Sequence, residues 1–223
     1  MSHKVHPYSF RLGILRDWRS RWFGVDKSGY RDQLKTDVML RAFLEKKLKG
    51  NYISSVEMER NRNSYKIIIK SSKPGLIIGR NGEGATRLKD EVLKFQRKNN
   101  LSLPKEFKIE VEEIRSPESQ ASIVGQMIAE GLQKRLSFNR VMKQAIEKVM
   151  ANRDVVGVKI TLSGRLGGAE MGRTETLKKG RLPLQTLRAD IDFARERASL
   201  PYGDMGIKVW IYRGDIFEQA KKD

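Results

Sequence analysis

Between residues 64 and 95 the chain changes its hydrophobic period. "SYKIIIK" (64–70) places Tyr65, Ile67 and Ile69 two residues apart, whereas Ala85, Leu88, Val92 and Phe95 step by three and four, and "PGLIIGRNGEG" (74–84) lies between them. A period of two buries one face of a strand and a period near 3.6 buries one face of a helix. The chain must therefore leave a strand, turn through glycines and enter a helix. That constraint organises everything around it.

The order of the glycines decides what the turn is for. A dinucleotide fingerprint needs G-x-G-x-x-G and a P-loop needs G-x-x-x-x-G-K-[ST]; here positions 79, 82 and 84 read G-x-x-G-x-G, and the P-loop string is absent. Both nucleotide classes are excluded. What remains is Gly79-Arg80-Asn81-Gly82 ahead of a helix. Without Cβ atoms the two glycines let the main chain approach a sugar-phosphate backbone, the helix amino terminus attracts phosphate, and Arg80 adds charge. The G-x-x-G loop of KH domains clamps about four single-stranded nucleotides in this way. A purely structural turn between helices is the plain alternative.

The flanks supply context. Leu34, Val38, Phe43, Leu44 and Leu48 predict a helix over 31–49, Ile53, Val56 and Met58 a strand, and "EFKIEVEEI" a strand after the second helix. The order is helix, strand, strand, glycine loop, helix, strand. "RSPE" (115–118) breaks it and marks a domain boundary. A helical zone then runs from about 118 to 152, re-capped near Ser137, followed by the strand "VVGVKITLSG", a glycine-rich loop "GRLGGAEMGRTE", and strands at about 184–193 and 206–213.

Charge names the class of partner. Lys and Arg number 45 against 27 Asp and Glu, a net charge of +18, which implies a large polyanion, nucleic acid before membrane. From 132 to 188 the chain carries thirteen Lys and Arg against four acids. Residues 1–30 mix Lys4, Arg11 and Arg16 with Tyr8, Phe10, Trp18, Trp22 and Phe23 without a clean period; this arm either clings to RNA or packs its aromatics on its own domain. Arg165 and Arg173 sit in the glycine-rich loop, where backbone and RNA can approach closely. Zero cysteines exclude disulfides and thiolate metal sites. The only histidines are His3 and His6, so no metal or cofactor is expected. No apolar signal core opens the chain, and it is expected to work in the compartment where it is made.

The order of elements resembles the type II KH domain, whose extra helix and strand precede the core motif. "KVHPYSFRLGI" at the start, "SGRLGGAEMGRTE" (163–175), "GRLPLQTLRADIDFA" (180–194) and "YGDMGIKVWIYRGDI" (202–216) are similar to the family of bacterial-type small ribosomal subunit protein three, and the match spans nearly the whole chain. The resemblance implies an α+β fold. It has a basic, aromatic arm over 1–30, a type II KH domain over 31–115 with helices on one face of a three-stranded sheet, and a second α/β domain over 116–223. It also implies a structural, non-enzymatic constituent of the small ribosomal subunit, cytoplasmic or in an organelle-encoded ribosome. Its partners would be rRNA in the subunit head, mRNA at the entry channel, and neighbouring head and entry-channel proteins, with no membrane and no small-molecule substrate.

Carried over by position, the KH loop is Gly79, Arg80, Asn81 and Gly82. The entry-channel helix is "KRLSFNRVMKQ" (134–144), with Arg135, Asn139, Arg140 and Lys143. Arg140 and Lys143 match and share a helical face, whereas Asn139 departs from the arginine usual at that slot, which weakens the expected help in unwinding message. Lys4, Arg11, Arg16, Arg165 and Arg173 are the expected rRNA contacts. Two rivals remain. One is a free KH-type RNA-binding regulator, against which the full-length match argues. The other is a metal-dependent nuclease built on Asp190 and Asp192, which stand at i and i+2 in "LRADIDF", opposite the apolar Leu187, Ala189, Ile191 and Phe193.

Overall fold

A computed structural model describes residues 5–24, 27–61, 63–102, 104 and 106–217. In chain order the elements are α1 (Pro7–Phe10), β1 (Ser20–Arg21), α2 (Lys27–Lys47), β2 (Ile53–Arg60), β3 (Ser64–Ser71), α3 (Pro74–Ile78), α4 (Glu83–Lys98), β4 (Glu106–Glu113), α5 (Ala121–Gln133), α6 (Phe138–Ala151), β5 (Gly157–Gly164), β6 (Arg173–Gly180), β7 (Ala189–Leu200) and β8 (Gly203–Asp215). They form two compact units, Trp18–Arg115 and Met1–Asp17 with Ser116–Asp223. Residues 1–30, expected as one arm, are thus shared between the units at Asp17 and Trp18.

In the unit Trp18–Arg115 the strands lie in the order β1-β2-β3-β4, with β2 antiparallel to β3 and the other two pairings parallel. The α+β type II KH architecture holds, with one more strand than the three expected. A two-residue β1 has no period to read, and it joins through the pairing of Ser20 with Met58 and a bond from Met58 N–H to Arg19 O. A bulge between Ile53 and Ser55 shifts β2 by one residue, so Ile53, Val56 and Met58 all face the core despite their uneven spacing. Helices α2 and α4 cover the same sheet face, joined by Phe43 stacked on Phe95 at 4.4 Å.

The buried stripe of α2 is only partly the expected one. Leu44, Leu48 just past the helix and the half-buried Phe43 pack as expected, but Asp37 and Leu40 complete the stripe, while Leu34 and Val38 are 42% and 58% exposed. At about 100° per residue Val38 lies about 160° round the helix from Leu40, so the two cannot share one core. Asp37, only 2% exposed, is the polar centre of this unit. It accepts from Trp22 Nε1 (2.6 Å) and the Tyr65 hydroxyl (2.9 Å) and pairs with the buried Arg60 guanidinium (3.0 Å). Arg60 also lies over the Tyr65 ring, 4.5 Å from its centroid. Burial first, and then the Asp37 carboxylate, push the Tyr65 hydroxyl pKa far above its ordinary value, so it stays a donor.

The second unit is built on an antiparallel sheet in the order β6-β5-β8-β7. Val158, Ile160, Leu162, Ile207, Val209 and Ile211 pack one face against Val124, Ile128 and Leu132 of α5 and Val141, Met142, Ile146 and Val149 of α6. The expected helical zone is two helices that part before Phe138, next to Ser137. The strand expected at 184–193 begins later, at Ala189, after a stretch whose Leu182 and Leu184 pack on Ala189, Ile191 and Tyr212. Strand β6, "RTETLKKG", is not among the strands the sequence predicts. It is an edge strand whose single large apolar residue, Leu177, packs on the core; its ladder and the Thr161–Thr176 hydroxyl bond hold the rest, so the sequence shows no apolar alternation there.

Replacing Asp37 by Ala leaves the Arg60 charge and the Tyr65 hydroxyl buried without their acceptor, and should destabilise this unit by about 3–5 kcal/mol. The urea-unfolding midpoint followed by tryptophan fluorescence measures it, Trp22 being a direct partner. A loss below about 1 kcal/mol would show that the cluster does not hold the unit together.

Candidate nucleic-acid interface

The glycine turn is built as a close junction of two helices. Helix α3 ends at Gly79 (φ 71°), whose N–H donates to Gly75 O at 3.0 Å; a 3-10 turn over Arg80–Gly82 follows, and Gly82 (φ 80°) opens α4. Asn81 adopts φ 49°, a left-handed conformation that asparagine tolerates better than most residues. The third glycine has a separate reason. A Cβ on Gly84 would stand 2.5 Å from Ile77 O and 2.8 Å from Ile78 O, so Gly84 lets α4 press against α3. Its i+5 spacing from Gly79 is the signal available in the sequence. Gly79, Arg80 and Asn81 are exposed at the positive end of a sixteen-residue helix, and Arg80 pairs with no acid among the described residues.

The second basic group surrounds the start of α6. Val141, Met142, Ile146 and Val149 bury one side of the helix; Asn139, Arg140 and Lys143 stand exposed on the other. Arg135, in the turn before it, is exposed with φ 60°, a conformation that costs a non-glycine residue on the order of 1 kcal/mol. The first turn of α6 holds Arg140 and no acid. A cation there opposes the helix dipole, an arrangement that favours a bound anion. Arg173, on β6, joins this group by placing its guanidinium over the Phe138 ring, 5.6 Å from the centroid. Only the folded chain brings these two distant positions together.

The other expected contacts divide. Arg165 is exposed but braces its own loop, donating from Nε to Ala169 O (2.8 Å) and lying 6.0 Å over the Tyr202 ring. Arg11 offers RNA no surface: it is 0% exposed, and its guanidinium donates to the carbonyls of Ala189 (2.7 Å), Pro7 (3.1 Å), Leu184 (3.0 Å) and Thr186 (2.8 Å). Burial lowers its pKa and the Asp190 carboxylate opposes that shift. Arg16 pairs with Asp190. Both arginines clasp the amino-terminal stretch to β7, and full burial removes Arg11 from the expected rRNA contacts. Lys4 lies outside the described residues.

The two aspartates considered as a metal site are structural as well. Asp190 holds Arg16 and Arg213, while Asp192 accepts from Ala121 N–H (2.8 Å) at the start of α5 and pairs with Arg213 (3.2 Å). Arg213 completes the junction by donating from Nε to Ser119 O at 3.1 Å. Its role is not legible in the sequence, since these last partners lie more than ninety positions away.

Residues 39–119 match the KH domain family, and residues 128–211 match the family described as Ribosomal protein S3, C-terminal domain. The chain is 45% identical over 222 residues to Small ribosomal subunit protein uS3 of Syntrophomonas wolfei subsp. wolfei, covering 100% of this chain and 93% of the relative. It is 44% identical over 216 residues to the protein of the same name from Coxiella burnetii (97% and 91%) and 42% identical over 223 residues to that of Clostridium tetani (100% and 97%).

Arg11→Ala and Arg140→Ala separate a structural arginine from a surface one. The first strips donors from four carbonyls and should cost at least about 3 kcal/mol; the second should change stability by less than about 0.5 kcal/mol. Thermal unfolding of the two variants checks this, and equal losses would refute the division.

Proposed function

The chain belongs to the family of small ribosomal subunit protein uS3, and on that footing we propose that it is a structural constituent of the small ribosomal subunit, bound to rRNA in the subunit head and lining the channel by which mRNA enters. The family is non-enzymatic, and the carboxylates that resembled a catalytic pair are engaged in holding the fold.

The observation that carries the proposal is the exposed cationic group around the amino-terminal turn of α6. Arg140 and Lys143 share one helical face, Arg135 precedes them, and Arg173 is seated beside Phe138. Cations at the positive end of a helix disfavour the isolated fold and favour a polyanion laid across it. Arg135, Arg140 and Lys143 contact the phosphates of incoming message, and Asn139 contributes a neutral hydrogen bond where an arginine would add charge. Gly79, Arg80, Asn81 and Gly82 hold RNA backbone at the start of α4, and Arg173 extends the basic surface towards rRNA. Neighbouring head and entry-channel proteins complete the surroundings, in the cytoplasm.

As such a constituent, the protein should sediment with small subunits in a sucrose gradient through moderate salt; a pool that stays wholly free of them would sink the proposal in favour of a free regulator. Arg140→Ala with Lys143→Ala should leave the fold intact and slow translation through a hairpin placed at the entry channel more than translation of unstructured message. Equal slowing of both would count against the entry-channel role.

Changing Arg80 and Asn81 to Asp puts two negative charges at the glycine turn. It should weaken binding to single-stranded RNA, as measured by filter retention, and unchanged binding would assign the loop a purely structural role.

A further inference from the structure

The sheet of the second unit has another face. Directly paired residues of antiparallel strands project to the same side, so the register defines three rows across β6, β5, β8 and β7. The first is Lys178, Lys159, Trp210 and Phe193; the second Thr176, Thr161, Lys208 and Arg195; the third Thr174, Ser163, Gly206 and Arg197. This is the side opposite the core formed with α5 and α6. Lys178, Lys208, Arg195 and Arg197 are exposed, as are Thr174 and Thr176, and Trp210 is half-buried.

The chemistry is sorted across the grid. Lys178, Lys159, Lys208, Arg195 and Arg197 form a diagonal from one edge strand to the other. On one side of it lies an aromatic corner, with Lys159 Nζ 5.2 Å from the Trp210 ring centroid and Phe193 5.0 Å from Trp210. On the other lie the hydroxyls of Thr161, Thr174, Thr176 and Ser163. No carboxylate belongs to the three rows; Asp204, near the β7–β8 hairpin, pairs with Arg197 at 3.3 Å. At roughly 4.8 Å between strands the diagonal crosses about 14 Å.

We infer that the exposed part of this face, beside the Phe193 corner that His6 covers edge-on at 4.8 Å, is a second RNA-binding surface. Its occupant is a single-stranded segment with its phosphates along the cationic diagonal, a base against Trp210 and sugar hydroxyls near the threonines. A polyanion is selected by the charge, and a single strand by the tryptophan, because a duplex presents its phosphates and sugars and keeps its bases stacked within. The inference rests on the proposed function only in taking the polyanion to be RNA. It uses none of the residues around α6, which lies on the other side of the sheet.

The test uses the full chain and a short labelled single-stranded RNA of mixed sequence, with binding followed by fluorescence anisotropy across a salt series. Lys208→Gln with Arg195→Gln should weaken binding about tenfold or more and make the salt dependence shallower by about 1.4, the release expected for two phosphate contacts on a single strand. Thermal unfolding of this variant should match the parent. Ultraviolet crosslinking should place RNA on the peptide that contains Trp210. Unchanged affinity and salt slope in this variant, with loss confined to Arg140→Gln with Lys143→Gln, would overturn the sheet-face site and leave the proposed function standing. Preference for a duplex of equal length would overturn the single-stranded occupant, and a parent chain that binds no RNA would overturn both.

Discussion

The fold depends on where a minority of carboxylates is placed among an excess of cations. With 45 Lys and Arg against 27 Asp and Glu, the chain repels itself unless its buried or half-buried cations find partners. Asp37 gathers Arg60, Tyr65 and Trp22 in one unit. In the other, Asp190 and Asp192 gather Arg16, Arg213 and the first amide of α5. Each site joins segments distant in sequence, and each is costly to break because a buried charge would lose its partner. Glu57 does the same near the surface for Arg21 and Lys70.

Engaging these acids internally leaves the outer faces basic. The turn at Gly79–Gly82, the start of α6 and the open sheet face each present cations with few or no carboxylates beside them. Such surfaces bind through counterion release, which depends on the number of phosphates met and little on base sequence. A structural protein on RNA needs that property. In the proposed reading, its register on the RNA comes from shape: the helix junction made possible by Gly84, and the sheet face carrying Trp210.

Local pattern made much of this legible. The change of period around the glycines placed β3 and α4, the ordering of the glycines excluded nucleotide loops, and Ser137 marked the division between α5 and α6. Pattern failed where burial did not sustain the element. Edge strand β6, with Leu177 as its one apolar contact with the core, and the two-residue β1 are held mainly by pairing, and α2 turned Leu34 and Val38 outward because Asp37 and Leu40 claimed the core. At the candidate site, Arg140 and Lys143 were legible as one face of a helix, whereas Arg173 reached that face only through Phe138.

By itself the sequence determined the kind of partner, the order of the main elements and the helix-entry turn, because net charge, periodicity and glycine conformational freedom are properties of short stretches. Tertiary structure alone decided which cations are free to meet RNA. Arg11 and Arg140 are the same residue in equally basic surroundings, yet one donates to four carbonyls in the interior and the other stands on a helix surface. The difference lies in carbonyls about 175 positions from Arg11, such as those of Leu184 and Thr186, and only the folded chain brings those acceptors within hydrogen-bond reach.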